Sequence, residues 1–308
     1  MMKALVQSDD TERLVAFQDV DDPSPADDQL VVKVEAFSLN RPDFLYLSMP
    51  GSGWRTGIDF AGTVQQAARD GTGPRAGEKI VVHSPAGGGG AELVAVAAAQ
   101  VTVIPHGIGI ADAAALPLAG LVALRLIREA GPVEGRKVLI TGATGGVGHA
   151  TVELLIGKGA LVTALASAEE PSERLAALGC TVVQVLGAAD GPFDIVLESV
   201  GGATFGEIVP KLAKGATILW FGQASFQPIT LDFFSFFVGR ESFTLRHFVY
   251  NDLPALDDGK DIAELLELVR TGQLHAEIGQ QGDWSQTAAM LDAMKNRTLR
   301  GKAVLMIG

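Results

Sequence analysis

The sequence predicts an α/β chain in which a doubly wound parallel sheet follows a β-rich first third. Three observations carry this. From about residue 112 onward, apolar strand-like runs alternate with helix-like ones, a rhythm that implies a parallel sheet with helices on both faces. Before that point the chain reads as short β-branched runs separated by turn-rich segments. Within the alternating part, Thr141-Gly142-Ala143-Thr144-Gly145-Gly146-Val147-Gly148 follows the strand-like Lys137-Val138-Leu139-Ile140 and leads into a helix-like run, His149 to Lys158. A strand, a tight glycine turn and a helix N-terminus suit a dinucleotide pyrophosphate. The glycines let backbone approach the phosphates, and the helix end offers free N–H groups and a positive dipole end.

The elements follow in order. Leu30 to Ala36 and Lys79 to His83 read as strands, with turns over 21–28 and 69–77. The four glycines Gly87 to Gly90 lie apart from any strand-to-helix signal and read as a flexible turn. Ala113 to Ala130 reads as one long apolar helix with Pro117 and Gly120 inside it. Strands are expected at 137–141, 161–166, 181–185, 193–198 and 216–221, and helices at 147–158, 172–178 and 203–213, with Gly159 and Gly179 at C-caps. Seven of the 14 phenylalanines lie from Phe221 to Phe243, Phe236 and Phe237 among them, as core, pocket wall or subunit contact. Helices at 261–271 and 284–296 and a strand at 302–306 close the chain.

Composition narrows the function. Hydrophobic residues make up 47% and charged residues 19% of 308, as in a folded protein large enough for two domains. The net charge of −12 disfavours electrostatic binding to nucleic acid or anionic lipid. Cys180 is the one cysteine, so an intrachain disulfide and a multi-thiolate metal site are excluded; it reads as a small buried residue. No apolar run reaches the roughly 18 residues of a membrane span. Met1-Met2-Lys3-Ala4-Leu5 lacks a signal-peptide pattern, and a cytoplasmic location is expected.

The glycine run also fits Thr-Gly-x-x-x-Gly-x-Gly, the fingerprint of short-chain dehydrogenases. That family carries its motif at the N-terminus and needs Tyr-x-x-x-Lys. Here the two tyrosines, Tyr46 and Tyr250, are followed four residues later by Pro50 and Pro254, so that chemistry is absent. Five segments instead resemble, in order and spacing, the medium-chain dehydrogenase/reductase superfamily. They are Ser38-Leu39-Asn40-Arg41-Pro42-Asp43, Gly57-Ile58-Asp59-Phe60-Ala61-Gly62, Ala113 to Gly120, Phe193 to Gly202, and Gly301-Lys302-Ala303-Val304-Leu305. The resemblance covers nearly the whole chain. It implies a Rossmann coenzyme domain (113–247) inserted in a GroES-like β-rich catalytic domain (1–112, completed by 248–308).

The resemblance also bears on metals. At the positions of the zinc ligands of alcohol dehydrogenases stand Asn40, Ile58-Asp59 and Leu118-Ala119-Gly120, with no thiol among them. The pattern is similar to the zinc-free quinone oxidoreductases, the zeta-crystallin-like branch. A quinone or activated double bond is already electrophilic, so the protein needs orientation and hydrogen-bond donors rather than a metal. By resemblance Asn40 lies beside nicotinamide and substrate and donates to the developing enolate or hydroquinone oxygen. Asp43 is a candidate for holding that turn or for a catalytic role beside Asn40. Tyr46, one position from the family tyrosine, is a candidate for the pocket wall, and Arg41 is read as a solvated residue.

The cofactor set implied by the resemblance is Asn40, Val122, Thr144, Gly145, Gly146, Val147, Ser167, Arg174, Ser199, Val200, Gly222, Phe248 and Arg297. The ribose-binding position past the glycine turn holds Ala166-Ser167, where a small hydroxyl leaves room for a 2′-phosphate and favours NADPH over NADH. Ala168-Glu169-Glu170 is the countersign; Arg174 supplies positive charge or is a solvated helix residue; Arg297 matches a phosphate-contacting arginine of relatives. Of the histidines, His83, His106 and His275 read as surface residues, His149 as a helix cap or packing residue, and His247 as lying near the cofactor cleft. The expected activity is NADPH-dependent, zinc-free reduction of a quinone or α,β-unsaturated carbonyl, with the proton from solvent. The alternatives are an enoyl-thioester reductase and a non-catalytic, crystallin-like NADPH-binding protein. A homodimer is expected, joined through the segment Glu241 to Arg246.

Overall fold

The computed structural model describes residues 1–8, 10, 13–167, 172–236, 242–254 and 256–308. The expectations placed on Ala168-Glu169-Glu170, Phe237 and Glu241 lie outside the described residues. In chain order the first elements are β1 (Met2–Gln7), β2 (Val15–Val20), β3 (Gln29–Leu39), α1 (Arg41–Leu47), β4 (Asp59–Gln66), β5 (Lys79–His83), β6 (Leu93–Ala97), β7 (Val101–Val103), α2 (Ile110–Ala115) and α3 (Pro117–Ala130). The alternating part holds β8 (Lys137–Thr141), α4 (Gly146–Gly157), β9 (Leu161–Leu165), α5 (Glu173–Ala177), β10 (Thr181–Val183), β11 (Phe193–Glu198), α6 (Ala203–Ile208), β12 (Leu212–Trp220) and β13 (Phe243–His247). The chain ends with α7 (Asp258–Arg270), β14 (Ile278–Asp283), α8 (Thr287–Lys295) and β15 (Lys302–Met306).

Two compact units result, one of residues 1–121 with 257–308 and one of 122–256. The first contains a seven-stranded sheet, whose strands run β14-β15-β3-β4-β5-β7 with β6 pairing β3, and the hairpin β1-β2. β15 pairs antiparallel with β3, so the C-terminal strand is an integral part of this sheet. Its core joins Val32, Val34 and Phe37 of β3 to Phe60, Ile80, Val82 and Leu305, with Leu291 from α8. Each such fully buried large side chain stabilises by about 1.5–3 kcal/mol relative to exposure. The second unit is a parallel sheet in the order β10-β9-β8-β11-β12-β13. Leu139, Val196 and Ile218 on adjacent strands pack with Phe193, Phe205 and Ile208.

The boundaries differ from 112 and 247. α2 packs on β3, β4 and β15 and so stays with the first unit. The chain past β13 stays with the second, because the Phe248 N–H donates to the Trp220 carbonyl at 2.9 Å.

Three local expectations are corrected. The helix expected over 113–130 is broken at Leu116, because Pro117 lacks an N–H and starts a new helix. The helix expected over 203–213 ends at Ile208. Pro210 follows in a 3₁₀ turn, and the backbone is already extended at Leu212. Gly87 to Gly90 is a packed connection rather than a loose turn. Gly89 and Gly90 donate to the carbonyls of Gly57 and Thr56 at 2.9 Å each, and Gly90 accepts from Leu5 at 2.8 Å. A Cβ on Gly89 would stand 2.5 Å from the Phe60 ring and 2.7 Å from the Gly57 carbonyl oxygen.

Candidate functional site

In the second unit the sheet reverses its order of growth at β8/β11, and Thr141–Gly148 and Ser199–Gly201 leave the C-terminal ends of those two strands. This is the switch point at which such sheets bind ligands. Gly145 is the N-cap of α4 and carries no side chain to occupy the helix end. The first intrahelical bond runs from His149 N–H to the Gly145 carbonyl at 2.9 Å, so Gly146, Val147 and Gly148 present N–H groups without intrahelical acceptors. A Cβ on Gly148 would stand 2.5 Å from the Ala143 carbonyl oxygen and would also overlap that of Gly142; close approach of helix and turn requires glycine there.

A polar network braces this cradle. The Thr141 hydroxyl donates to Glu198 Oε1 at 3.2 Å and accepts from Ser199 N–H at 2.9 Å, while Ser199 Oγ donates to the Thr141 carbonyl at 3.1 Å. Glu198 also accepts from Val200 N–H at 2.9 Å and Gly201 N–H at 3.0 Å. Burial raises its pKa against these bonds. Thr144 is buried, Gly222 follows β12, and Ser167 is exposed just past β9. Arg174 lies in α5, half-buried. A cavity of about 210 Å³ is lined by Val122, Phe221, His247, Phe248, Val249 and Tyr250. It brings together Val122, Phe248 and His247. The His247 ring meets Trp220 edge-on at 5.9 Å, and Arg125 Nη1 donates to the Tyr250 carbonyl at 3.1 Å.

The first unit holds a buried polar cluster. Asn40 follows β3 in extended conformation (φ −124°, ψ 158°) and caps α1. Its Nδ2 donates to Asp59 Oδ2 at 2.9 Å, and its Oδ1 accepts from Lys302 Nζ. Asp59, at the start of β4, accepts at Oδ1 from His83 Nδ1 at 2.8 Å and lies 3.6 Å from Lys302 Nζ. It also receives the Leu118 N–H at 3.2 Å, one of the groups freed at the N-terminus of α3 by the Pro117 break. Burial raises the Asp59 pKa, but the His83 hydrogen bond and the Lys302 charge outweigh it and hold the group below the usual carboxylate value. Burial lowers the pKa of Lys302, against the pull of Asp59 and Asp43.

Asp43 ties the turn together. Its carboxylate accepts from Asn40 N–H at 2.9 Å, Trp54 Nε1 at 3.1 Å and Gly57 N–H at 3.1 Å. Burial pushes its pKa up to about 6 despite those donors. The folded protein therefore binds this proton more tightly than the unfolded chain. The Asp43 contribution to stability is full in acid and is lost as pH rises through about 6. The Trp54 indole N–H resonance is expected to titrate with a midpoint near 6, and a pH-invariant signal between 4 and 8 would contradict it. Tyr46 is exposed and rests on Trp54 with ring centroids 4.5 Å apart.

Arg297 also belongs to the first unit, in a left-handed turn (φ 59°). Arg41 is exposed, as expected; burial of part of its side chain first, and then the charge of Arg297, lower its pKa, so two guanidinium groups share one neighbourhood. His83 is corrected, being buried against Asp59 rather than on the surface. Asp59, His83 and Lys302 are the site residues that sequence reasoning missed. The one signal was a lysine opening the otherwise apolar strand Lys302 to Met306.

The chain matches the family described as alcohol dehydrogenase GroES-like domain over residues 26–106, and that described as zinc-binding dehydrogenase over 178–305. It is 32% identical over 224 residues to a chloroplast envelope quinone oxidoreductase homolog of Arabidopsis thaliana, covering 64% of this chain and 67% of that one. The chain belongs to the quinone oxidoreductases of the medium-chain dehydrogenase/reductase superfamily. Another similar protein is the acrylyl-CoA reductase of Ruegeria pomeroyi, 29% identical over 220 residues, covering 64% of this chain and 66% of that one. The Escherichia coli quinone oxidoreductase, solved with NADPH, has the same fold over the full length of both chains, with a TM-score of 0.87 at 17% identity. That fold, like the one here, contains a parallel Rossmann-like sheet and an antiparallel β-rich, GroES-like unit.

Proposed function

We propose that this protein is an NADPH-dependent reductase of quinones or α,β-unsaturated carbonyls that works without zinc. The observation that carries the reading is Asn40: a buried amide with one Nδ2 hydrogen committed to Asp59 and the second without a protein partner among the described residues. That second N–H suits the oxygen of a carbonyl acceptor as it gains charge.

The residues present fit a dinucleotide. The glycine-capped end of α4 leaves a backbone cradle that side chains would fill, and Gly146, Val147 and Gly148 hold pyrophosphate oxygens there. Bound NADPH supplies the hydride. The cavity beside Val122 and Phe248 takes the apolar faces of a flat ring, and within the same unit Ser167, exposed just past β9, and Arg174 of α5 are the groups suited to a 2′-phosphate. The residues do not fit zinc. Asn40 offers an amide already bonded to Lys302 and Asp59, Ile58 offers no donor, and among the described residues no three His, Cys, Asp or Glu side chains converge.

A second reading, reduction of an enoyl thioester, is favoured by the paired charges of Arg41 and Arg297 and by the acrylyl-CoA reductase among the relatives. One assay separates these. The protein is mixed with NADPH or NADH and with quinones, enones or enoyl-CoA esters, and absorbance at 340 nm is followed. NADPH oxidation by quinones or enones is expected, with weaker NADH use. Turnover of thioesters alone selects the second reading, and NADPH binding with no turnover of any acceptor selects a binding protein. The exposed edge strand β13 also supports a homodimer; a monomeric mass by light scattering at micromolar concentration would contradict it.

A further inference from the structure

An asparagine amide is nearly symmetrical in shape, so its neighbours decide which way its oxygen and nitrogen point. At Asn40 two neighbours of opposite charge make that choice. Asp59 lies against Nδ2 and can only accept when ionised, and Lys302 lies against Oδ1 and can only donate. Turned over, the amide oxygen would face a carboxylate oxygen and the amide hydrogens an ammonium. Both contacts would be repulsive inside a buried cluster. Lys302 reaches Asn40 from β15, the neighbour of β3 in the sheet, and the remaining groups around it account for its charge. They are Asp59 from β4, Asp43 from α1, whose charge also acts on it, and His83 from β5 on the far side of Asp59.

We propose that Lys302 is a positioning residue: with Asp59 as its counterpart it fixes the Asn40 amide in the orientation that leaves the second Nδ2–H for the acceptor oxygen. The inference rests on the reductase reading, and it adds a residue that touches neither acceptor nor cofactor. Its consequence is that Lys302 acts on turnover only through Asn40.

Asparagine labelling tests this on the whole chain without cofactor, because the protein has three asparagines and Asn251 and Asn296 are exposed. In the wild type, ¹⁵N-labelled asparagine should give one side-chain amide pair with shifted resonances and slow hydrogen exchange beside two solvent-like pairs. Lys302→Met should collapse that pair toward the other two. It should lower kcat/KM for the acceptor by about tenfold to a hundredfold, as when the partner orienting a reactive side chain is lost, and leave NADPH affinity unchanged. In an Asn40→Ala background the same substitution should cost nothing further, and Lys302→Arg, which keeps the charge and the donors, should restore much of the loss. A wild-type Asn40 pair that exchanges as fast as the other two overturns the proposal, whether or not Lys302→Met folds. Losses from Lys302→Met and Asn40→Ala that multiply also overturn it. If the wild type turns over no acceptor, the reductase reading fails while the amide signals still report on the clamp.

Discussion

Gly148→Ala is expected to destabilise the 122–256 unit by about 3 kcal/mol and to weaken NADPH binding by about a hundredfold or more. The added methyl meets the backbone carbonyls of Gly142 and Ala143 rather than a side chain that could swing away. Relief requires α4 to move off the end of β8, which opens the turn whose N–H groups form the cradle. Trp220 is the one tryptophan of this unit, so its fluorescence reports the urea transition, and a cofactor titration reports binding. Gly157→Ala is the control. Gly157 is the last residue of the same helix, and a Cβ there meets nothing within 4 Å. Alanine should be neutral or stabilise by about 0.5–1 kcal/mol through helix propensity. Equal losses at both positions would mean that steric closeness at Gly148 is not what matters.

Asp59→Ala is expected to cost about 3–5 kcal/mol in the unit formed by 1–121 and 257–308. One carboxylate serves the His83 ring, the Asn40 amide, the Leu118 N–H and the Lys302 ammonium, and all are buried. Removing it strands a cation and leaves three donors without an acceptor. The sign of the pH dependence follows from the lowered pKa. Asp59 contributes stability above the ordinary carboxylate value, and that contribution disappears as pH falls through its folded value. The variant should therefore lose stability at neutral pH and lose less further stability on acidification than the wild type. Urea unfolding followed through Trp54 and Trp284 checks this; a loss under about 1 kcal/mol would show that the cluster relaxes without its carboxylate.

Local chemistry was readable from the sequence and long-range convergence was not. Lys137–Thr141, the glycine turn and α4 carry their own signals: a β-branched run, glycines where backbone must approach, and an uncapped helix start. The structure keeps that strand–turn–helix within a residue of the expected bounds. Asp59, His83 and Lys302 come from three strands, and the register that brings His83 opposite Asp59 is set by the whole sheet. Nothing local marks a strand-end histidine as buried. Pro117 was visible inside an apolar run, but that its break would free the Leu118 N–H for Asp59 depends on where β4 begins. The four glycines at 87–90 misled for the same reason, since Phe60 and the Gly57 carbonyl pack against them from a distant segment.

The most direct test of the account is a single-turnover comparison of the wild type with Asn40→Ala. Each protein is saturated with NADPH and mixed with excess quinone or enone, and absorbance at 340 nm is followed against an enzyme-free control. The wild type should oxidise its bound NADPH fully. In Asn40→Ala, likewise saturated with NADPH, the rate should fall by about a hundredfold, the loss of one donor to a developing oxyanion. Equal rates in the two proteins, or bound NADPH that survives every acceptor in the wild type, would contradict it.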